Sequence, residues 1–502
     1  MNREISRRSF LQNTLVGAVV VGFDILSGSW LTTRDLSSAA LPARHFPRFD
    51  GILCTDDASL AAAADDYGHI VHKWPRAVLR PGSVDDIRKM IRFACKHKIK
   101  VAIRGSGYSV QGETQIKSGV VIEMKSLNQI LEINPHSVLV EGGVIWSDLL
   151  ERIVQYRLRP ATLTNYLGLS VGGTISVGGV DGHAFRYGSQ ADNVCELHVV
   201  TGRGDLITSS PKRNEDLFNA CRGGLGQFGV IVRARLSLIH ALPSALVYSL
   251  PYTDLSDFMA DQELLIDDGR FDYIQGKVVL DDQGKWIFLL EAAKYFSSFD
   301  KPDSEALLAG LSFIPGGQTI EDMSYFDFSN RLAPLVEQAK DKGVWDLPHP
   351  WATFFLSAAD AYVLIKEILG RLTPDEVGPM PILIYPLNRF HFKAPFLCIP
   401  KSRHFFAFFI LRTAIPPTLD TVFRMVASNR SLYEQVVNDG GGKRYPIDYI
   451  PMNRNDWYRH FQSKWKHFIG MKRYFDPFGI FNGRCGLNSP HCDDCEYLTD
   501  SP

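Results

Sequence analysis

Cysteine is scarce in this chain, with 8 residues in 502. That is too few for disulfides to carry a fold of this length, so buried apolar surface must do so. An excess of one charge is missing as well: 54 lysines and arginines stand against 55 aspartates and glutamates. The balance leaves no basic footprint for nucleic acid and suits a neutral or weakly charged ligand. The apolar run from Leu15 to Phe23 is too short to span a bilayer, so no stable membrane anchor is expected. The common dinucleotide fingerprint is also lacking. Gly105, Gly107 and Gly112 do not fall into G-x-G-x-x-G spacing and no suitably capped helix follows them, which disfavours a Rossmann site.

What is present begins with bulk. Hydrophobic residues make up 45% of the chain and aromatics 11%, more than one core of ordinary size holds, so two domains are expected. Glycine gathers in two places. One is Ile103-Arg104-Gly105-Ser106-Gly107-Tyr108-Ser109, set between two apolar strand-like runs. The other is Gly168-Leu169-Ser170-Val171-Gly172-Gly173-Thr174-Ile175-Ser176-Val177-Gly178-Gly179. Glycines in tight turns let backbone N–H groups converge on an anion, as a pyrophosphate bound without a metal requires.

Local signals outline the elements. Pro81-Gly82-Ser83 breaks the chain, Ser83 and Asp86 form a capping pattern, and Ile87, Met90, Ile91 and Ala94 recur at helical spacing up to Lys96-His97-Lys98. Strands are expected at Val101 to Arg104, Val120 to Met124 and Val138 to Glu141, with a helix near Trp146 to Tyr156. Beyond Leu238 the pattern changes to strand-like Ala245 to Leu250, Tyr273 to Leu280 and Trp286 to Ala292, separated by polar helical stretches. This reads as a second sheet with helices. Cys95, on an apolar helix face, is expected in the core.

From Arg104 to Leu238 the order of motifs resembles cytokinin dehydrogenases, flavoprotein oxidases of the vanillyl-alcohol-oxidase superfamily. The matching residues are the R-G-x-G-x-S turn, Asn165-Tyr166-Leu167 leading into Val171-Gly172-Gly173-Thr174, the stretch Gly182 to Gly188, and Gly223 to Ile231. Further matches follow at Phe271-Asp272-Tyr273-Ile274-Gln275-Gly276, Pro348-His349-Pro350-Trp351, Leu383 to Leu387 and Phe475-Asp476-Pro477. The resemblance implies an α+β, two-domain PCMH-type FAD-binding fold with an inserted substrate domain built on an antiparallel sheet with helices. It sets the borders at 41–240 for the first part of the FAD-binding domain, 241–440 for the substrate domain, 441–490 for a segment returning to the FAD-binding domain, and 491–502 for a tail.

The resemblance also implies FAD as cofactor. Its contacts carry over to Gly105, Ser106, Gly107, Tyr108 and Ser109 at the turn, to Ser170, Ser176 and Val180 in the second cluster, to Ile231 behind it, and to Tyr449. Three positions depart from the family. Tyr108 stands where a histidine links the flavin covalently, which implies FAD held without that bond. Asn165 replaces the aspartate that takes a proton from the substrate amine, and Gln275 replaces a glutamate. An amide oxygen accepts a hydrogen bond but not a proton. Glu113 and Asn482-Gly483-Arg484 also differ from the family at the flavin rim.

Asn165 and Gln275 therefore mark a pocket that keeps its shape and polarity and loses its charge. A substrate that needs no strong base, a neutral amine or an alcohol, suits it, with oxygen or a quinone as electron acceptor. His183 and His349 are the nearby candidate proton acceptors, or else structural histidines. The alternatives are a flavin-binding protein with little or no turnover, and an oxidase of another class such as a sugar or lactone.

The amino terminus carries Ser6-Arg7-Arg8-Ser9-Phe10-Leu11, a twin-arginine pattern, followed by the apolar run and by Ser37-Ser38-Ala39-Ala40. Residues 1–40 are expected to be an export signal for the twin-arginine machinery, which carries folded, cofactor-loaded proteins to the periplasm or outside. Cys485, Cys492 and Cys495 stand apart in the acidic tail; a disulfide suits an oxidising compartment, and one C-x-x-C beside His491 is weak support for zinc. No metal site is expected.

Overall fold

The computed structural model of the chain describes residues 20–24, 29–32, 47–281, 283–297, 299–439, 441–481 and 487. The paired arginines and Cys485, Cys492 and Cys495 lie outside them. Only the end of the apolar amino-terminal run is described, as β1 (Val20–Asp24), which pairs antiparallel with β2 (Ser29–Thr32).

The segment after Pro81 folds as its spacing requires. The Ser83 hydroxyl accepts the Asp86 amide, and the helix Val84–His97 buries Ile87, Met90, Ile91 and Ala94 before Lys98 ends it in the left-handed conformation at φ 55°. The buried Asp86 carboxylate accepts the amides of Asp50, Gly51 and Gly82, fixing the chain on either side of the next strands. These are β3 (Ile52–Cys54), β4 (Ala77–Arg80), β5 (Val101–Arg104) and β6 (Val120–Glu123), in the order β3-β4-β6-β5, with β4, β6 and β5 parallel. Their residues alternate between two clusters. Ala77, Leu79, Val101, Val120 and Ile122 face the helix, and Val78, Ala102 and Val121 face the other side. Covered on both faces, the strands read as unbroken apolar runs.

A second, antiparallel sheet contains β7 (Ile130–Asn134), β8 (Ser137–Glu141), β9 (Leu158–Pro160), β10 (Val194–Thr201), β11 (Leu206–Ser209) and β12 (Gly229–His240), in the order β11-β10-β12-β8-β7 with β9 beside the end of β12. The chain passes between the sheets at Gly142-Gly143. A Cβ on Gly142 would sit 2.1 Å from the Ile231 carbonyl oxygen, and one on Gly143 1.9 Å from that of Met124. The expected helix after it runs Trp146–Val154.

The third sheet is the largest: β13 (Ser244–Tyr252), β14 (Tyr273–Leu280), β15 (Trp286–Phe296), β16 (Thr319–Ser324), β17 (Ala352–Ser357), β18 (Ile382–Asn388), β19 (His404–Ile410) and β20 (Lys443–Arg444). Its order is β16-β13-β15-β14-β18-β19-β17-β20, and every pairing is antiparallel. β15 runs beyond Ala292 because its partner β13 extends to Ser244, opposite Phe296. The fold is thus α+β, with the antiparallel sheet inserted between two parts of the first domain. The return is made by the helices Arg454–Phe461 and Trp465–Phe475. Asp476 then accepts the amides of Ile480 and Phe481 and the ammonium of Lys472, Gly202 donates to the Phe475 carbonyl, and Phe481 bridges to Val101 on β5. Cys95 is half-buried rather than core; its thiol donates to the Gly202 carbonyl at 2.9 Å.

Candidate functional site

The two glycine segments meet. β5 ends at Arg104, and the next residues turn sharply, with Gly107 at φ 77°, where a side chain would be strained. A Cβ on Gly105 would lie 2.0 Å from the Ser170 hydroxyl oxygen, and Ser106 Oγ accepts the Ser170 amide at 3.2 Å. The turn's carbonyls are tied down from behind, Gly107 O by the Tyr67 amide and Ser109 O by the Gly68 amide. Ser109 Oγ donates to Asp66 at 2.8 Å, and the same carboxylate accepts Gly68 and Gly112. Burial, and then Glu113, push Asp66 up to about 7. The backbone N–H groups of Ser106, Gly107, Tyr108 and Ser109 have no acceptor among the described residues. Anchored carbonyls and spare N–H donors fit the diphosphate of a dinucleotide.

The other residues assigned to the cofactor are each held by packing or hydrogen bonds. Ser176 Oγ donates to Gly172 O within the helix Val171–Val177, and its carbonyl accepts Leu225. Val180 and Ile231 are buried in the core, and the loop before Val180 is fixed by the Gly179 amide donating to the Tyr445 hydroxyl. Tyr449 packs in one cluster with Tyr67, Tyr108 and Trp351.

That cluster is a stack. The Tyr108 ring lies 4.1 Å from Tyr67, and Tyr67 in turn lies 4.2 Å from the His349 imidazole, nearly parallel at 6°. Trp345, Trp351 and Tyr166 border Tyr108 at 5.1 to 5.7 Å. Burial, then Tyr67, hold the Tyr108 hydroxyl well above its usual range, so the phenol is neutral and apolar in effect. His349 is a structural member of the stack: its ring nitrogens engage Thr413 Oγ1 and the Trp345 carbonyl, both at 3.2 Å, and burial lowers it to about 4.

Asn165 and Gln275 are brought together by a residue between them. The Tyr273 hydroxyl lies 2.9 Å from Asn165 Oδ1 and 2.7 Å from Gln275 Oε1, and it accepts a hydrogen bond from Arg331 at 2.6 Å. Arg331 also binds Glu291 at 2.6 Å, and Lys277 takes the other oxygen of that carboxylate at 2.6 Å. Against the cost of burial, Arg331 and Lys277 hold Glu291 down at about 2. Tyr273, Gln275 and Lys277 share one face of β14 by the two-residue repeat, and Gln275 faces Glu291 across the pair with β15. Asn165 is half-buried, whereas Gln275 is only 1% exposed. His183 is not free to act as a base here. One nitrogen is 2.8 Å from Asp181 and the other 2.6 Å from the Tyr295 hydroxyl, all buried.

Sequence reasoning missed Tyr67, Asp66, Glu291 and Arg331. The alternation along β14 points to Tyr273 and Lys277 beside Gln275. Arg331 sits more than fifty residues from its partner Tyr273 in the chain and gives no local signal.

Comparisons with known proteins fit this geometry. Residues 279–484 match the family model described as cytokinin dehydrogenase 1, FAD and cytokinin binding, and residues 75–210 match an FAD binding domain. The chain is 39% identical to an uncharacterized oxidoreductase, ORF5 of the fasciation locus of Rhodococcoides fascians, over 86% of this chain and 97% of that one. It is 34% identical to cytokinin dehydrogenase 9 of Oryza sativa subsp. japonica, over 86% and 89% of the two chains. The structure of 6-hydroxy-D-nicotine oxidase from Arthrobacter nicotinovorans superimposes with a TM-score of 0.67 at 19% identity, covering 88% of this chain and 99% of that one, and so shares the fold.

The buried His349 makes stability depend on pH. Its folded-state value of about 4 lies below that of the unfolded chain, about 6.5. Acidification therefore protonates the unfolded chain first, and stability is lost as pH falls from about 6.5 towards 4, by of order 3 kcal/mol for this group. In urea unfolding at neutral and acidic pH, His349→Gln should lose less stability on acidification than the wild type. Equal losses would show that His349 is protonated in the folded protein.

Proposed function

Since the chain belongs to the cytokinin dehydrogenase family of FAD-dependent oxidoreductases, we propose that its substrate is a small neutral amine or alcohol, oxidised beside Asn165 and Gln275. FAD, when bound, supplies the hydride acceptor. The residues that hold it are the turn Gly105, Ser106, Gly107 and Ser109 with Ser170, Ser176, Val180, Ile231 and Tyr449, and Tyr108 retains it by packing in place of a covalent bond. Oxygen or a quinone takes the electrons onward.

The observation that carries this reading is the Tyr273 hydroxyl joining Asn165 and Gln275. Both amides hold the places of the family's carboxylates, and both stay anchored. Asn165 orients a substrate N–H or O–H by hydrogen bonding but takes no proton. With both nitrogens of His183 and of His349 engaged, the proton leaves to water, which reaches the half-buried Asn165. Such a site favours a substrate that loses its proton without a positioned carboxylate. The paired arginines ahead of an apolar run support export of the folded, flavin-loaded chain by the twin-arginine route.

Acid precipitation should leave yellow supernatant over a colourless pellet; a pellet that stays yellow after washing would overturn non-covalent binding. Asn165→Asp should speed flavin reduction by an isoprenoid cytokinin above the carboxylate's pKa, by up to about 10²- to 10⁴-fold in stopped-flow measurements. Fast wild-type reduction that the variant only equals would mean that the amide suffices. Exchanging Arg7 and Arg8 for lysine together should trap folded, flavin-loaded precursor in the cytoplasm, whereas unchanged export of the double variant would make the arginine pair incidental.

A further inference from the structure

The wall behind Asn165 and Gln275 has a surplus of positive charge. Glu291 is the single carboxylate bound to both Lys277 and Arg331, so this trio keeps one net positive charge. On the other side of Tyr273, whose ring meets His183 edge-on at 5.0 Å, Asp181 is paired with His183. Asp272 lies between two cations, 3.6 Å from Lys294 and 3.9 Å from Arg186. Arg159 is buried among the rings of Tyr187, Tyr295 and Tyr325 and donates to the carbonyls of Pro160 and Ala161, with no carboxylate bound to it among the described residues. Lys277, Arg331, Lys294, Arg186 and Arg159 thus stand against Glu291, Asp272 and Asp181 around Tyr273, five cations to three carboxylates. Arg331 and Glu291 retain 18% and 13% of their side-chain exposure, so this charge is not wholly shut in a dry core.

Hydrogen bonding shows the same imbalance. Tyr273 has one hydrogen to give, and its oxygen already accepts from Arg331. It therefore donates to one of the two amides, and the other must turn an N–H towards it. As placed, Gln275 Nε2 is buried with no acceptor, a state that costs about 1–3 kcal/mol. Turned about, the amide would give that hydrogen to Tyr273 and leave its oxygen without a donor instead. As placed, the site is short of an acceptor oxygen as well as of negative charge.

We propose that the pocket at Asn165 and Gln275 selects a substrate bearing an anionic oxygen group, a carboxylate or its like, drawn in by the positive excess of Lys277 and Arg331. This rests on the reading of the two amides as the substrate-facing pair, and it narrows the neutral substrate to one whose reacting group is neutral and whose anchoring group is an anion. A single charge at about 10 Å through an intermediate dielectric changes affinity by about tenfold.

The test titrates the flavin-loaded protein with benzoate, benzamide and benzylammonium at neutral pH and low ionic strength, following the flavin absorption. Benzoate should bind about tenfold or more tightly than benzylammonium and weaken with added salt. Lys277→Met, and separately Gln275→Glu, should cut that preference by about tenfold. Benzylammonium binding as tightly as benzoate would overturn the charge inference while leaving the pocket in place. Benzoate binding that neither folded variant changes would overturn it too, by placing the anion elsewhere. No spectral response to any probe would overturn it together with the assignment of the amide pair to the flavin's substrate face. The wild-type series decides the question even where a variant does not fold.

Discussion

Ser106 holds the Ser170 amide beside a glycine, Gly105, whose missing side chain leaves room for the Ser170 hydroxyl, and much of the site follows from that contact. It brings a turn at the end of a parallel strand against the start of a glycine-rich helix 64 residues later. The amides left over at the turn are spare donors that fit a diphosphate, and the chain entering the helix carries Asn165 and Tyr166 past the same turn. A methyl group at position 105 would meet the Ser170 side chain and force its hydroxyl to move.

The fold was legible in the sequence where local physics decides it. The capped amphipathic helix after Pro81, the β5 strand and the three strands following Leu238 all lie where periodicity and turn residues put them. Their ends were less legible, because a partner strand sets them, as Ser244 does for Phe296. The glycine segments were legible as an anion cradle, but their meeting was not, since no local pattern records a contact between loops.

In the site, the amide pair was readable by position and its setting was not. Gln275 and its neighbours alternate on β14, yet the cation that binds Tyr273 comes from the loop after a short helix, and the carboxylate beneath it from the adjacent strand. The two histidines show the reverse. As sequence they are candidate bases, and in the fold hydrogen bonds take up both nitrogens of each ring. Long-range pairing brought to the amide pair an arginine that no motif marks, and engaged in structural bonds two histidines that motifs do mark.

The return of the chain to its first sheet also bears on when the protein can become itself. Val101 meets Phe481, and Lys472 and Asp476 tie that junction together. The inserted sheet lies between these partners in the chain. During synthesis the first domain must therefore wait, one edge of β5 open, until Phe481 has left the ribosome. Pairings of such sequence separation are slow to form and expose strand edges meanwhile. The substrate sheet can assemble first, since all its strands lie between Ser244 and Arg444, and the flavin domain closes last.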